Sequence, residues 1–305
     1  MCALSIKKRN IYLAIALCFL FILAILVSKI TNRPAKLDLS HNKYPIPKRI
    51  QYSFTLHNKT NHSLKKAEFW TYAPVKQTST QLCDSFEASY PYEVITDDLG
   101  NQILHFSFDS LSPYATKIIT IKADLLLSNL SNPATERDLQ RYLLPEKYIE
   151  VDNPDLKQFA KTLNASKPKN TAEEIFNWVS ENVRYAGYLS NDRGALYALK
   201  EKKGDCTEYM YLFTALCRAN KIPARGVGGY VCKENTVLKP SGYHNWAEFY
   251  EDGVWKIVDP QNKVFVKNQS DYVAMRVISE SSANSIANFH RFRFSGDGLQ
   301  VSMNN

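Results

Sequence analysis

The sequence lacks the features of a disulfide scaffold or a metalloprotein. It has six cysteines in 305 residues, and two of them, Cys2 and Cys18, lie in the apolar N-terminal region. If one of the other four serves as a free thiol, an odd number remains, which argues against a disulfide framework; a bridge between Cys83 and Cys232 is disfavoured. No Asp-rich loop has the spacing of a calcium site, and no other cofactor or metal is predicted.

Net charge is also missing from most of the chain. The formal charge is +8 at pH 7, and such an excess can attract nucleic acid. However, nine Lys and Arg but only one acidic residue lie in residues 1–50, so this segment accounts for the whole excess. The remaining 29 basic and 29 acidic residues cancel. A nucleic-acid partner is therefore not expected.

The basic N-terminal segment surrounds an apolar run. Residues 11–27 contain no charged side chain and are rich in Leu, Ile, Ala and Phe. A run of this length is short for a membrane-spanning helix and long for a signal-peptide core. No small-x-small cleavage pattern follows it, so residues 1–34 are predicted to be an uncleaved membrane anchor. Because the tail before it is short, we expect the anchor to leave the main domains outside the cytoplasm, in the periplasm or the extracellular space.

Residues 35–130 have the pattern of a β-sandwich. Segments 49–56, 67–72, 103–108 and 118–123 are rich in β-branched and aromatic residues and alternate in part between apolar and polar side chains. Turn-forming clusters separate them, and no helical periodicity interrupts them. The sequence therefore predicts an N-terminal β-sandwich domain.

Residues 131–305 form the second predicted domain, in which helical patterns join the strands. A Thr-x-x-Glu capping box followed by apolar residues at helical spacing predicts a helix over 171–183. Farther along, segments 271–279 and 291–301 have strand patterns and are candidates to complete the sheet of this domain. The mixture indicates an α+β fold.

A second helix signal carries a cysteine. Gly204 breaks the preceding structure, Asp205 is a favourable N-cap residue, and Glu208 completes a capping box, so a helix is predicted to begin at Cys206. Apolar residues at helical spacing continue to Cys217 and indicate a buried face. The unpaired N–H groups at a helix N-terminus favour an anion, so the thiolate of Cys206 is favoured. The alternative is that Cys206 is a small core residue.

A histidine and an aspartate lie on a predicted β-hairpin. An alternating segment begins at His244, the Asp-Gly pair at 252–253 is a strong turn signal, and an apolar segment then ends at Asp259. In the register that this turn sets, Trp246 lies opposite Asp259, and His244 lies diagonally from the carboxylate on the same face. Diagonal neighbours are within side-chain reach, so a hydrogen bond between His244 and Asp259 is expected.

Four sequence blocks in a fixed order lie between residues 170 and 265. They are Gly204-Asp205-Cys206, Ile222-Pro223-Ala224-Arg225 with Gly229-Tyr230, His244-Asn245-Trp246-Ala247-Glu248, and Trp255-Lys256-Ile257-Val258-Asp259-Pro260. Together these blocks resemble the transglutaminase-like superfamily, in its bacterial membrane-anchored form. The resemblance implies a papain-like α+β core, in which the helix that bears the cysteine packs on an antiparallel sheet that carries the histidine and the aspartate.

The resemblance also implies roles for three residues. Cys206 would be the nucleophile, His244 the general base and acid, and Asp259 the carboxylate that orients the imidazole. The backbone N–H of Cys206 is the only oxyanion donor that the blocks identify. The expected reaction is acyl transfer from an amide or peptide bond through a thioester, by a peptidase, a deamidase or a transglutaminase.

The expected substrate is a protein or peptide, for example an envelope protein or a peptidoglycan peptide. The alternative is an inactive envelope scaffold or binding module with the same fold. Among the neighbouring residues, Arg225 is expected to form an internal salt bridge and Glu248 to lie at a solvated sheet edge. Tyr185, Tyr188 and Tyr197 either line a pocket or pack in the core.

Overall fold

The structure of the protein is a computed structural model, and five parts of the chain are described. The described residues are 42–133, 138–163, 168–279, 286 and 289–305. The membrane anchor predicted in residues 1–34 lies outside them. Within the described stretches, no helix combines the length and the apolar character needed to cross a bilayer. Residues Lys43–Asn305 pack as one unit.

The N-terminal β region contains six strands. They are β1 (Ile46–Asn58), β2 (Leu64–Ala73), β3 (Gln81–Ala88), β4 (Glu93–Thr96), β5 (Gln102–Leu111) and β6 (Thr116–Leu127). β6 lies between β1 and β3 in one sheet, and β5 lies between β2 and β4 in a second sheet, all antiparallel. The four segments predicted from alternation fall within β1, β2, β5 and β6, whereas β3 and β4 were not predicted.

The two sheets share one apolar core. Alternate residues along much of β1, β2, β5 and β6 point inwards, and the rings of Phe54 on β1 and Phe69 on β2 lie 4.9 Å apart between the sheets. Burial of such rings is the main source of stability for a β domain of this size. The alternation that predicted these strands is thus the pattern that builds their core.

The remaining elements alternate between helices and strands. The helices are α1 (Pro154–Thr162), α2 (Pro168–Asn182), α3 (Ala195–Glu201) and α4 (Cys206–Ala219). The strands are β7 (Arg184–Tyr185), β8 (Lys203–Gly204), β9 (Ala224–Val231), β10 (Thr236–Val237), β11 (Tyr243–Glu251), β12 (Val254–Asp259), β13 (Val264–Phe265), β14 (Tyr272–Ile278), β15 (Phe292–Ser295) and β16 (Leu299–Met303). The predicted helix 171–183 begins earlier than expected, at Pro168, because proline suits the first helical turn.

An antiparallel sheet forms the centre of the second half of the chain. Its strand order is β13-β12-β11-β9-β14, and α4 packs on β11 and β9. α1, α2 and α3 surround α4, and almost every side chain of α4 is buried. A helix that is apolar around most of its circumference is stable only in such an interior. The predicted arrangement of the cysteine helix on an antiparallel sheet is present.

The C-terminal strands pair with the N-terminal sheets. Segment 271–279 completes the central sheet as β14, as predicted, but segment 291–301 does not. Instead β15 pairs with β2, and β16 pairs with β1. Phe292 on β15 packs against Phe54 and Phe69, so this pairing buries an aromatic side chain in the N-terminal core. Alternation identifies a strand, but it does not identify the sheet edge that the strand joins.

Side chains of the N-terminal β region cover the outer edge of β14. Gln81 accepts a hydrogen bond from the Ala274 N–H at 2.9 Å and donates one to the Ala274 carbonyl at 3.0 Å. Asn101 accepts from the Val277 N–H at 2.6 Å and donates to the Val277 carbonyl at 2.9 Å. Each carboxamide thus makes the two bonds that a neighbouring strand would make.

Candidate active site

Cys206 occupies the first position of α4. The preceding residue, Asp205, has extended backbone, and its carboxylate accepts a hydrogen bond from the Thr207 N–H at 2.8 Å. Glu208 accepts from the Asp205 N–H at 3.0 Å, which completes the predicted capping box. The thiol is therefore held at the positive end of a rigid, buried helix, where a thiolate is stabilised.

The two capping carboxylates also fasten the loop in front of the helix. The second oxygen of Asp205 accepts from the Leu189 N–H at 2.9 Å, and the second oxygen of Glu208 accepts from the Arg193 N–H at 2.8 Å. Burial raises the pKa of Glu208, although these backbone bonds oppose the shift. The sequence predicted that Asp205 and Glu208 cap the helix. It did not predict their bonds to the loop, because nothing in the sequence near these two residues indicates those contacts.

Cys206 is the most accessible of the four cysteines that the structure describes. All four are free thiols, and Cys83, Cys217 and Cys232 are buried. Burial raises the pKa of Cys83 and of Cys232 to about 11, and it raises the pKa of Cys217 as well. Thiolate chemistry among these four is therefore favoured only at Cys206.

The hairpin that carries the histidine and the aspartate has the predicted register. Glu248 lies opposite Ile257, and residues 252 and 253 form the turn, both with positive φ. The His244 Nε2–H donates to Asp259 Oδ2 at 2.7 Å. The diagonal contact that was expected from the turn is thus present.

Two further residues hold the Asp259 carboxylate. Asn262 donates its side-chain N–H to Oδ2 at 2.7 Å and its backbone N–H to Oδ1 at 3.2 Å. The Tyr272 hydroxyl donates to Oδ2 at 2.9 Å. Asp259 is only 1% exposed, and burial alone would raise its pKa. The pKa is lowered instead, because the hydrogen bond and charge of His244 and the hydrogen bonds of Asn262 outweigh burial. The carboxylate is therefore ionised and fixed in orientation.

The charge state of His244 follows from these neighbours. Burial alone would lower the pKa of its imidazole. Hydrogen bonds to Asp259 and Cys206, together with the charges of both groups, outweigh burial and raise the pKa to about 9. Because Nε2 bonds the carboxylate, Nδ1 is the nitrogen left for the Cys206 thiol. The site can therefore hold His244 as an imidazolium at neutral pH.

Cys206 borders a cavity of about 410 Å³. Tyr185 and Tyr188 line it, and Tyr188 is 84% exposed. Of the three tyrosines expected either to line a pocket or to pack, these two line the cavity, whereas Tyr197 on α3 packs near the Arg193 guanidinium. The exposed rings offer an apolar surface to a ligand that reaches the thiol.

A glycine makes room at the inner wall of this cavity. Asn245 donates to the Thr207 hydroxyl at 3.0 Å and so ties β11 to the first turn of α4. Asn245 lies opposite Gly228 on β9. A Cβ at Gly228 would stand within 3.0 Å of both the Tyr243 hydroxyl and the Asn245 side-chain oxygen. The absence of a side chain at Gly228 therefore sets the position of both residues.

The predicted internal salt bridge of Arg225 is present. Its Nε donates to Glu248 Oε2 at 2.8 Å, and its Nη2 lies 2.7 Å from the same oxygen. The expectation of a solvated edge for Glu248 is wrong, since its side chain is 3% exposed. The guanidinium also lies 4.1 Å from the Trp255 ring centroid and close to Tyr142, which cover this face of the sheet. Arg225 is thus a structural residue.

Comparison with known proteins identifies the central part of the chain. Residues 157–260 match the model of the transglutaminase-like superfamily. They are a transglutaminase-like domain. The matched segment contains Cys206, His244 and Asp259, whereas Asn262 and Tyr272 lie beyond its end. The support of the aspartate by these two residues therefore could not be inferred from the family pattern.

Solved structures resemble the chain beyond the transglutaminase-like domain. A candidate cysteine protease from Cytophaga hutchinsonii aligns with a TM-score of 0.56 and 18% identity, over 85% of this chain and 92% of that chain. The periplasmic domain of TgpA from Pseudomonas aeruginosa, bound to ethylmercury, aligns with a TM-score of 0.37 and 16% identity, over 74% of this chain and 94% of that chain. The first likeness shows a shared fold. Among curated proteins, none matches the sequence.

Proposed function

We propose that the protein is a cysteine-dependent enzyme that transfers acyl groups from amide or peptide bonds. The observation that carries this proposal is the contact of His244 with both partners: Nε2 lies 2.7 Å from Asp259 Oδ2, and the imidazole also bonds Cys206. A nucleophile, a base and a group that orients the base are the minimum for this chemistry. Their location within a transglutaminase-like domain supports the same conclusion.

In the first half of the proposed reaction, the Cys206 thiolate attacks the carbonyl carbon of the substrate. The C–S bond forms, and the carbonyl electrons move to oxygen, where the Cys206 backbone N–H can stabilise the oxyanion. His244 then gives its Nδ1 proton to the nitrogen of the leaving amine. The C–N bond breaks, and the acyl group remains on Cys206 as a thioester.

In the second half, His244 accepts a proton from the incoming nucleophile. Attack on the thioester carbon expels the Cys206 sulfur, which returns as the thiolate beside the imidazolium. Water as acceptor gives hydrolysis, as in a peptidase or a deamidase, whereas an amine as acceptor gives a new amide bond, as in a transglutaminase. Asp259 stays ionised throughout and stabilises the imidazolium.

The acyl donor that we propose is a protein or peptide at the cell envelope. The apolar run at residues 11–27 would anchor the chain in the membrane, with the described part outside the cytoplasm. Envelope proteins and peptidoglycan peptides would then be within reach. The cavity beside Cys206, with Tyr185 and Tyr188 at its wall, has room for side chains of such a peptide.

Alkylation of the thiol tests the proposal. Iodoacetamide at pH 7 should label Cys206 quickly, and His244→Ala should slow labelling by ~10-fold or more, because the thiolate loses its imidazolium partner. The labelled peptide is identified by mass spectrometry, with Cys206→Ala as the control for site assignment. Equally slow labelling of the wild type and His244→Ala would contradict the proposal and favour an inactive scaffold.

Incubation with envelope extract identifies the acyl donor. Mass spectrometry of the intact protein should show an acyl adduct on Cys206, absent in Cys206→Ala. Hydroxylamine should remove the adduct, as expected of a thioester. If the adduct decays in water, the enzyme is a hydrolase; if it decays only when an amine is added, the enzyme is a transglutaminase.

A further inference from the structure

The cavity beside Cys206 contains one cation that no carboxylate of the described residues balances. Arg291 lines this cavity. Its Nη1 donates to the Pro240 carbonyl at 3.0 Å, its guanidinium lies 5.7 Å from the centroid of the Tyr243 ring, and it also bonds the Tyr230 hydroxyl. All three partners are neutral. The positive charge of Arg291 therefore faces the cavity without a counter-ion from this part of the chain.

The acidic residues of the same cavity already have partners. Asp205 accepts hydrogen bonds from two backbone N–H groups, as described above. Asp192 accepts from the Tyr211 hydroxyl at 2.8 Å and lies 3.5 Å from His290 Nε2. These contacts satisfy the hydrogen-bonding capacity of both carboxylates, and neither of them forms an ion pair with Arg291. An anion in this cavity is therefore favoured at the guanidinium of Arg291 rather than beside the two carboxylates.

Arg291 is held in place by elements on both sides. It directly precedes β15, which pairs with β2, and its side chain is fixed to Pro240 at the other wall of the cavity. A guanidinium has five N–H donors, and the contacts to Pro240 and Tyr230 leave others for a ligand. Ordering the side chain before the ligand arrives reduces the entropic cost of binding.

We propose that Arg291 binds a carboxylate of the acyl donor, so that the substrate is an acidic peptide. The carboxylate would lie within one or two residues of the amide bond that Cys206 attacks. A guanidinium binds a carboxylate by two parallel hydrogen bonds, which fixes orientation as well as position. This inference rests on the proposed function, since it assigns the substrate class of the same site. Arg291 lies beyond the transglutaminase-like segment 157–260, so the family match does not assign it a role.

Two alkylating reagents of almost equal size test the inference. Iodoacetate carries a carboxylate where iodoacetamide carries a neutral amide, and both modify Cys206 without turnover. The measured quantity is the rate constant for iodoacetate at Cys206 divided by the rate constant for iodoacetamide at the same residue. Arg291→Gln should lower this ratio by ~3-fold or more, as expected when a charge several ångströms away is removed in a partly desolvated site. The rate with iodoacetamide should change by less than ~2-fold.

Matched variants separate charge from structure. Arg291→Lys keeps the charge and should retain most of the wild-type ratio. Arg293→Gln is the control, because Arg293 lies two residues farther along, over the Trp70 ring in the N-terminal sheet, and should leave the ratio unchanged. An unaltered ratio in Arg291→Gln would overturn the inference, as would an equal fall in Arg291→Lys and Arg291→Gln.

A measurement on the wild type does not depend on the folding of any variant. Glutarate should protect Cys206 from iodoacetamide at lower concentration than glutaramide does, and equal protection would count against a carboxylate site. Failure of the proposed function has a different signature. In that case the wild type and His244→Ala are labelled equally slowly by iodoacetamide, whatever the ratio between the two reagents.

Discussion

The Tyr272 hydroxyl donates a hydrogen bond to Asp259 Oδ2 at 2.9 Å, although β11 and β9 lie between their strands in the sheet. Tyr272 is buried, and its pKa is raised, first by burial and then by the charge of Asp259. The hydroxyl therefore stays protonated and donates. It fixes the carboxylate oxygen that also accepts the hydrogen bond from His244. The orientation of the imidazole therefore depends on a strand outside the hairpin.

Tyr272→Phe should destabilise the protein and slow the reaction of the Cys206 thiol with iodoacetamide. Loss of a hydrogen bond to a buried carboxylate should reduce the free energy of unfolding by about 1.5–3 kcal/mol, measured by urea denaturation. Labelling of Cys206 by iodoacetamide should be slower, because His244 is less well oriented. Tyr250→Phe is the matched control, since Tyr250 is half-buried beside Trp255 and distant from the carboxylate. Equal labelling rates in both variants would mean that Asn262 alone holds Asp259.

Stability should fall as pH rises from about 6.5 to about 9. The pKa of His244 is raised from 6.5 to about 9 in the folded protein, so the native state holds a proton there that the unfolded state has lost. The stabilisation is complete below 6.5 and disappears as pH passes 9. Urea denaturation across this range should show the decline, and Asp259→Asn should reduce its slope. The same slope in Asp259→Asn and the wild type would assign the pH dependence to other groups.

Glu248→Gln should be strongly destabilising. It leaves the Arg225 charge buried without its partner, which should cost about 3–5 kcal/mol of unfolding free energy. Glu251→Gln is the matched control, because Glu251 pairs with Lys256 at a more exposed position and should cost less than about 1 kcal/mol. The double variant Arg225→Met with Glu248→Leu should recover much of the loss. Equal values for the two single variants would show that the Arg225 pair is not desolvated.

Gly228→Ala should disturb the active site, whereas Gly242→Ala should not. A methyl group at Gly228 collides with the Tyr243 hydroxyl and the Asn245 side chain, while the nearest atom to a Cβ at Gly242 is 3.6 Å away, in Tyr230. Overpacking of this kind should cost about 1–3 kcal/mol, and labelling of Cys206 should slow. Thermal unfolding and iodoacetamide labelling of both variants measure the difference. Similar behaviour of the two would mean that Tyr243 moves aside freely.

Contacts between residues that are close in sequence could be predicted. The position of Cys206 at a helix start follows from its two capping residues, and the contact of His244 with Asp259 follows from a two-residue turn that sets the register. The capping box and the hairpin turn each act over fewer than about 20 residues. Local chemistry then determines geometry, because little chain lies between the groups concerned.

Contacts between distant segments could not be predicted. Tyr272 and Arg291 reach the site from β14 and from the residues before β15, and nothing in their immediate sequence marks them. Glu248 was expected to be solvated because alternation gives the face of a strand but not what covers that face. Segment 291–301 was assigned to the wrong sheet for a related reason, since several edges were open to it. Asn262 is intermediate: it lies three residues from Asp259, but asparagine is common in turns.

The side chains of Gln81 and Asn101 have a consequence for the solution behaviour of the molecule. A sheet edge with unpaired N–H and carbonyl groups is a template on which another chain can add a strand. β14 is such an edge, and these two carboxamides occupy its bonding groups at Ala274 and Val277. If the N-terminal β region were removed, the central sheet would be left with an exposed edge strand whose backbone N–H and carbonyl groups are unpaired. The N-terminal region thus occupies the positions at which a strand of a second copy would otherwise pair.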